Sequence, residues 1–298
     1  PGKKKHELTC AIAAGVILNM ESEQEMMLIA QCGERLGITP KVAIRVNPNF
    51  ELKSSGMKMG GGSKPFGVDA ERVPDMLKQL HALGLELIGF HIFSGSQNLN
   101  AEAIQEAHTQ TIQLGIQLAE QAPTSVKLLN IGGGFGVPYF PGDQALNLPV
   151  IGENLQKLMP VIKRQLPQAQ IVIELGRYMV AEAGIYVCRV LERKLSRGHT
   201  FLITDGGLHH HLAASGNFGQ VIRKNYPVII GNKVHGTEKE VVSVVGPLCT
   251  PLDMLADRLS MTKASIDDLV VVLQSGAYGM TASPTAFLNH PPPTEVLV

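Results

Sequence analysis

Leu128-Leu-Asn-Ile-Gly-Gly-Gly-Phe-Gly-Val-Pro-Tyr139 is the stretch whose reading decides the fold of this chain. Val126, Leu128, Leu129 and Ile131 make a short buried strand. Gly132, Gly133, Gly134 and Gly136 then remove the Cβ where a backbone must bend tightly and approach something closely. Glycine-rich turns at the carboxyl end of a strand present successive N–H groups that bind anions without any side chain, so a phosphate is one occupant. A plain strand-to-loop turn accounts for the same residues. The spacing is not the dinucleotide fingerprint, and no Gly-Lys-Ser/Thr follows as a P-loop requires.

Outward from this strand, helical and strand patterns alternate. Helices are expected over Glu7 to Ala14, Ser22 to Leu36, Ala70 to Leu83, Ala101 to Gln121 and Ile151 to Gln165. Strands are expected over Val16 to Met20, Lys41 to Asn47, Leu85 to Phe93, Val126 to Ile131 and Ile171 to Glu174. Ser22 with Glu25 has capping-box spacing at the second helix start. Five apolar strands separated by helices are the pattern of a parallel sheet, and each ends in Glu21, Asn47, His91, Gly132 or Glu174. Parallel α/β folds carry their chemistry at the carboxyl ends of strands, so these endings point to one site.

After about Tyr178 the rhythm changes. Gly184 to Lys194, Thr200 to Thr204, Val228 to Gly231, Glu240 to Val245, Leu269 to Leu273 and Thr294 to Val298 read as strands with few helices between, a mostly antiparallel β domain. The expected domains are therefore residues 1–178 and 179–298. No short internal repeat and no low-complexity linker interrupts them.

Composition narrows the function classes. The 298 residues suit roughly two domains. Lysine plus arginine and aspartate plus glutamate both number 26, so there is no electrostatic footprint for nucleic acid. No apolar run is long enough to span a bilayer, which argues against a membrane partner. Cys10, Cys32, Cys188 and Cys249 lack paired or metal-ligand spacing, as expected in a reducing cytoplasm.

Several clusters carry chemistry. His91 precedes Ile-Phe-Ser-Gly-Ser-Gln97, where Ser94 and Ser96 offer donors to a phosphate; a hydrogen-bonded core histidine is the plainer reading. Glu174 and Arg177 in Glu-Leu-Gly-Arg are either a structural ion pair or a carboxylate for a ring nitrogen beside an arginine for phosphate. His209, His210 and His211 follow Asp205-Gly-Gly; on a strand, neighbouring histidines point to opposite faces, so no metal site is expected. Cys249 in Gly246-Pro-Leu-Cys-Thr-Pro-Leu-Asp253 and Tyr278 in Ser275-Gly-Ala-Tyr-Gly279 lie in loops that ordinary turn chemistry also explains.

Together and in this order, these motifs resemble the fold-type III pyridoxal-phosphate decarboxylases, the family of ornithine, arginine and diaminopimelate decarboxylases. The resemblance runs over essentially the whole chain. It implies a TIM-type (β/α)8 barrel with a C-terminal β domain, pyridoxal 5'-phosphate as cofactor, and a homodimer with shared active sites. By the same resemblance His91 stacks on the pyridine ring, Ser94 binds the phosphate with Gly133, Gly134, Gly176 and Arg177, and Tyr278 reaches it from the β domain. Glu174 pairs with the pyridinium nitrogen, making the ring an electron sink. Cys249, from the partner subunit, protonates the carbanion left by carbon dioxide.

Gly134-Phe-Gly-Val-Pro-Tyr-Phe140, Gly206-Gly-Leu-His-His-His211, Gly246-Pro-Leu-Cys-Thr250 and Phe287-Leu-Asn-His290 carry a narrower match. It is to the branch acting on carrier-protein-bound amino acids and to similar decarboxylases associated with exosortase systems. Thr250 stands where the diamine and diaminopimelate enzymes place an acidic residue, and no arginine follows Asp205-Gly-Gly. Both departures fit a small amino acid whose far end is masked by an acyl or peptidyl carrier. The alternatives are a diaminopimelate- or diamine-type decarboxylase, a catalytically silent regulator of the same fold, and a racemase on a similar barrel.

The family's cofactor-anchoring lysine lies on the first barrel strand, and nothing here matches it; Lys3, Lys4 and Lys5 are not at a strand end. Five βα strands against the barrel's eight lead to the expectation that these are strands four to eight, that Pro1-Gly-Lys-Lys-Lys follows the third strand, and that the working protein is longer. Five strands alone would leave an open parallel edge, an aggregation hazard.

Overall fold

The computed structural model describes residues 1–54, 56–220 and 222–298, and the chain divides into two compact units. The first comprises residues 1–137 and 145–175, the second 138–144 and 176–298.

In the first unit the elements run α1 (Lys5–Ala13), β1 (Leu18–Met20), α2 (Glu23–Leu36), β2 (Lys41–Asn47), β3 (Met57–Lys58), β4 (Val68–Asp69), α3 (Val73–Gln79), β5 (Glu86–Ile92), β6 (Gly95–Ser96), α4 (Ala101–Ala119), β7 (Leu128–Gly133), α5 (Leu148–Gln165) and β8 (Gln170–Glu174). The main sheet has the order β1-β2-β5-β7-β8, every neighbour parallel, with β4 beside the end of β2; β3 and β6 form a separate antiparallel pair. Strands paired in chain order with a helix between are the succession of a TIM-type barrel. The helix starts follow local chemistry. Ser22 caps α2 by accepting from the Glu25 N–H at 3.0 Å, Glu25 accepts from the Glu21 N–H at 2.8 Å, and Gly37 closes the helix at φ 63°.

Met26 and Ile29 of α2 pack in one core with Val42 and Ile44 of β2, Phe90 of β5 and Leu129 of β7. Phe90 is completely buried, and its truncation to alanine would cost about 3–5 kcal/mol. Gly89 is required by proximity, because a Cβ there would collide with the Leu128 carbonyl of the adjacent strand.

The second unit contains α6 (Gly176–Val180), β9 (Tyr186–Ser196), β10 (His199–Thr204), β11 (Val228–Ile230), β12 (Lys239–Val245), β13 (Met254–Thr262) and β14 (Leu269–Val272). Its sheet has the order β11-β14-β9-β10-β12-β13 and is antiparallel except for β10 against β12. Three expectations fail here. Met254–Thr262 is a strand with no counterpart in the sequence reading, because a register shift and the positive φ of Arg258, 46°, break its apolar alternation. Thr294 to Val298 forms no strand with the described residues and is solvent-exposed: β-branched residues favour a strand only where a ladder partner exists. The histidine triplet lies in a turn rather than on a strand, since the chain bends at Gly206-Gly207.

Candidate active site

Register places the first unit's polar side chains. His91 of β5 is paired across the ladder with Asn130 of β7, and Gly133 of β7 with Glu174 of β8. The Asn130 amide donates to Glu174 Oε1 at 2.9 Å, while its carbonyl oxygen accepts the Gly132 N–H at 2.9 Å. His91 Nε2 stands 3.3 Å from Glu174 Oε2. That contact is off the line of a hydrogen bond, so both ring nitrogens of this buried histidine lack a hydrogen-bond partner. The His91 imidazole holds the Glu174 carboxyl below the usual carboxylate range, against a smaller opposing effect of burial. The carboxylate is half exposed. A charged oxygen pair on a rigid strand end, open to solvent and backed by a flat imidazole, suits a protonated heterocyclic nitrogen.

Asn130 was not singled out by sequence reasoning. Its signal was legible: one amide inside the apolar run Leu128-Leu-Asn-Ile131, where a buried polar group needs partners.

The glycine run has a packing reason at each of three positions. A Cβ on Gly132, at φ 73°, would meet the Ile92 carbonyl; one on Gly133 would strike the Glu174 carbonyl; one on Gly134, at φ 83°, would strike that of Gly95. Two N–H groups of the run are already committed, Gly132 to Asn130 and Gly136 to the Asn98 carbonyl at 2.8 Å. These two donors are therefore not available to an anion cradle here. Ser94 lies buried just after β5, and its carbonyl accepts from the Met59 and Gly60 N–H groups.

Lys3 donates to the Asn19 carbonyl at 2.7 Å and to Glu25 at 2.9 Å. Its ammonium is tied to α2.

In the second unit, Arg177 of α6 donates from Nη1 to the Tyr139 hydroxyl at 3.1 Å. Its guanidinium carbon lies 5.6 Å from the Tyr139 ring centroid and 4.7 Å from that of Tyr278, both within cation–π range. Tyr278 takes φ 56° in a loop fastened by Ser275 N–H to the Gly184 carbonyl and Gly276 N–H to the Ala181 carbonyl. Gly176 has open space where its Cβ would be and no left-handed backbone, so nothing within the chain requires a glycine there.

Cys249 carries a free, exposed thiol. Its loop is gathered around the buried carboxylate of Asp253, which accepts from the Leu248 N–H at 2.8 Å and the Leu208 N–H at 2.6 Å. Asp253 thus joins the Cys249 loop to the histidine turn, another link that the sequence did not reveal. In that turn the rings take separate partners: His210 the Tyr186 hydroxyl (2.9 Å) and the Pro291 carbonyl (2.8 Å), His211 the Ser275 hydroxyl (2.9 Å). Neither nitrogen of His209 is hydrogen-bonded. Burial depresses His209 and His211 to about 4, so both stay neutral near pH 7. No group of three or more metal-ligating side chains occurs among the described residues, and no helix among them is long and apolar enough to cross a membrane.

Residues 1–181 match the family described as pyridoxal-dependent decarboxylase, pyridoxal binding domain. An L-glutamyl-[BtrI acyl-carrier protein] decarboxylase of Niallia circulans is 39% identical over 303 residues, covering 100% of this chain and 71% of the relative. A diaminopimelate decarboxylase of Aquifex aeolicus is 31% identical over 300 residues, covering 100% and 68%. Among solved structures, a point mutant of Helicobacter pylori diaminopimelate decarboxylase complexed with L-lysine superposes with a TM-score of 0.85 at 25% identity, over 98% of this chain and 70% of that one.

Proposed function

This chain belongs to the pyridoxal-dependent decarboxylases, enzymes that use pyridoxal phosphate to remove carbon dioxide from amino acids, and we propose that its own substrate is an amino acid tethered to a carrier protein. The observation that carries the assignment of residues is the pairing of the ionised, half-exposed Glu174 with His91, a buried imidazole without hydrogen bonds, on strands flanking β7. Those residues fit the cofactor, as does Gly176, whose vacant Cβ position leaves room for a ligand atom.

In this reading His91, Ser94, Gly133, Gly134, Glu174, Gly176, Arg177 and Tyr278 bind the cofactor, and Cys249 of the partner subunit is the proton donor. Residues 1–178 form the cofactor-binding part and 179–298 the part that completes a homodimer's shared sites. The bound cofactor supplies an electron sink for the pair of electrons released with carbon dioxide. Glu174 keeps a proton on the pyridine nitrogen, His91 covers the ring face, and Arg177 and Tyr278 hold the phosphate. Cys249 delivers a proton to the substrate's α-carbon.

The carrier-bound substrate rests on what the second unit lacks. Thr250, beside Cys249, offers no charge for a distal ammonium. Arg223, the first arginine after the histidine turn, commits Nη1 to the Ser215 carbonyl and Nη2 to the Met254 carbonyl, both at 2.6 Å, rather than to a substrate carboxylate. The similar Niallia protein is named for a glutamyl carrier substrate. Mass spectrometry of a glutamyl-loaded acyl-carrier protein incubated with enzyme and cofactor tests this. Loss of one carbon dioxide from the loaded carrier, with free glutamate and diaminopimelate untouched, is expected; turnover of free diaminopimelate alone would assign the other substrate class.

A further inference from the structure

Arg177, on a five-residue helix, is held by Tyr139. Tyr139 is almost fully buried, and its hydroxyl accepts Arg177 Nη1 at 3.1 Å while its ring lies within cation–π range of the same guanidinium. The tyrosine is itself fixed twice. Gln274 donates to the carbonyl of the preceding Pro138 at 2.8 Å, and the Tyr226 ring packs 4.9 Å from the Tyr139 ring at a tilt of 32°. Tyr226 is in turn fixed edge-on by His211 at 5.5 Å, and burial keeps its phenol neutral.

Arg177 Nε is buried without a hydrogen-bond partner. A guanidinium carries five N–H donors in one rigid plane, so the single bond to Tyr139 sets that plane and leaves other donors for a ligand. An arginine side chain free to rotate loses rotamer entropy when it binds, and bracing it beforehand removes much of that cost from binding.

We propose that Tyr139 is a positioning residue that sets the guanidinium of Arg177 for a phosphate dianion. The proposal rests on the reading of Arg177 as a phosphate ligand. In this proposal Tyr139 acts through Arg177.

Dissociation constants for pyridoxal phosphate and for pyridoxal, which lacks the phosphate, measured by absorbance titration on the enzyme and three variants, test it. Tyr139→Phe keeps the ring and its packing while removing the hydroxyl. It should weaken pyridoxal phosphate about tenfold, the effect of one charge-assisted bond, and leave pyridoxal unchanged. In an Arg177→Met background, adding Tyr139→Phe should weaken pyridoxal phosphate no further. Equal weakening of both ligands, or a tenfold loss that persists without Arg177, would assign Tyr139 to general packing and overturn the proposal. An unchanged affinity in Tyr139→Phe while Arg177→Met binds weakly would overturn it and leave the phosphate reading intact. If Arg177→Met itself binds pyridoxal phosphate as tightly as the parent, the phosphate reading fails and this proposal fails with it.

Discussion

Glu174 and Cys249 are held by opposite means. Glu174 sits on a strand end, placed by the ladder of a parallel sheet, with Asn130 on the adjacent strand β7 and His91 one strand further, on β5, as its neighbours. Cys249 sits in an irregular loop with no ladder at all, and its backbone is gathered by one buried carboxylate, Asp253, that also fastens the histidine turn. Tyr278 is likewise in a loop without a ladder, held by the backbone bonds of Ser275 and Gly276 and by His211 on the Ser275 hydroxyl, with a left-handed backbone at the tyrosine. In the sheet, many equivalent backbone bonds share the positioning of each side chain. In the Cys249 loop a single side chain holds several residues, so one substitution should disturb it more.

That contrast can be broken in order of expected size. Glu174→Gln removes charge while keeping shape and sheet. It should lower kcat on the order of 10²-fold, as loss of a preorganised charge does, with the urea midpoint little changed. Equal activity would remove Glu174 from the chemistry. Asp253→Ala strands the buried N–H groups of Leu208 and Leu248. A loss of about 2–4 kcal/mol in urea unfolding is expected, each orphaned donor costing about 1–2 kcal/mol, together with faster alkylation of Cys249. An unchanged alkylation rate would show that the loop is held by other means.

Asn130→Ala is the matching change in the sheet. The ladder remains, so the cost should be smaller, about 1 kcal/mol, and the Glu174 carboxylate should lose one neighbour without moving off its strand. A cost as large as that of Asp253→Ala would erase the proposed difference between the regions.

The smallest effect is on pH. An unfolded histidine takes up its proton near 6.5, whereas His211 resists to about 4, because burial penalises its charged form. Between those values the unfolded chain binds more protons. The contribution of neutral His211 to stability is therefore complete above pH 6.5 and declines as the pH falls towards 4. His211→Gln should flatten the fall of the second unit's unfolding midpoint over that window. His108 in α4, also depressed to about 4 by burial, should give the first unit a similar slope that His211→Gln leaves alone. Parallel slopes before and after His211→Gln would mean that the histidine turn does not titrate.

The two regions also differed in how far they could be read beforehand. Lys41–Asn47 has the bounds its apolar run predicted, and the ends of the other four expected parallel strands differ by at most two residues. A buried parallel strand is nearly all apolar, and that signal is local. The 3-10 turn Ala70–Arg72 ahead of α3, and the end of α3 at Gln79, four residues before the predicted Leu83, were not legible, because helix ends depend on what they pack against. In the β domain the signal weakened. The bulge in Met254–Thr262 concealed a strand, and the apolar tail from Thr294 imitated one.

By itself, the order of residues determined where the chain alternates strand and helix, where glycines let backbones close on one another, and which motifs occur together. Tertiary structure alone decided which atoms meet: Asn130 between Gly132 and Glu174, Asp253 between Leu208 and Leu248, Tyr139 against Arg177. Periodicity and turn chemistry act over a few neighbouring residues and are written locally. These contacts join residues as far apart as 45 positions, and their partners are selected by register, burial and the need of each buried polar group for a hydrogen bond.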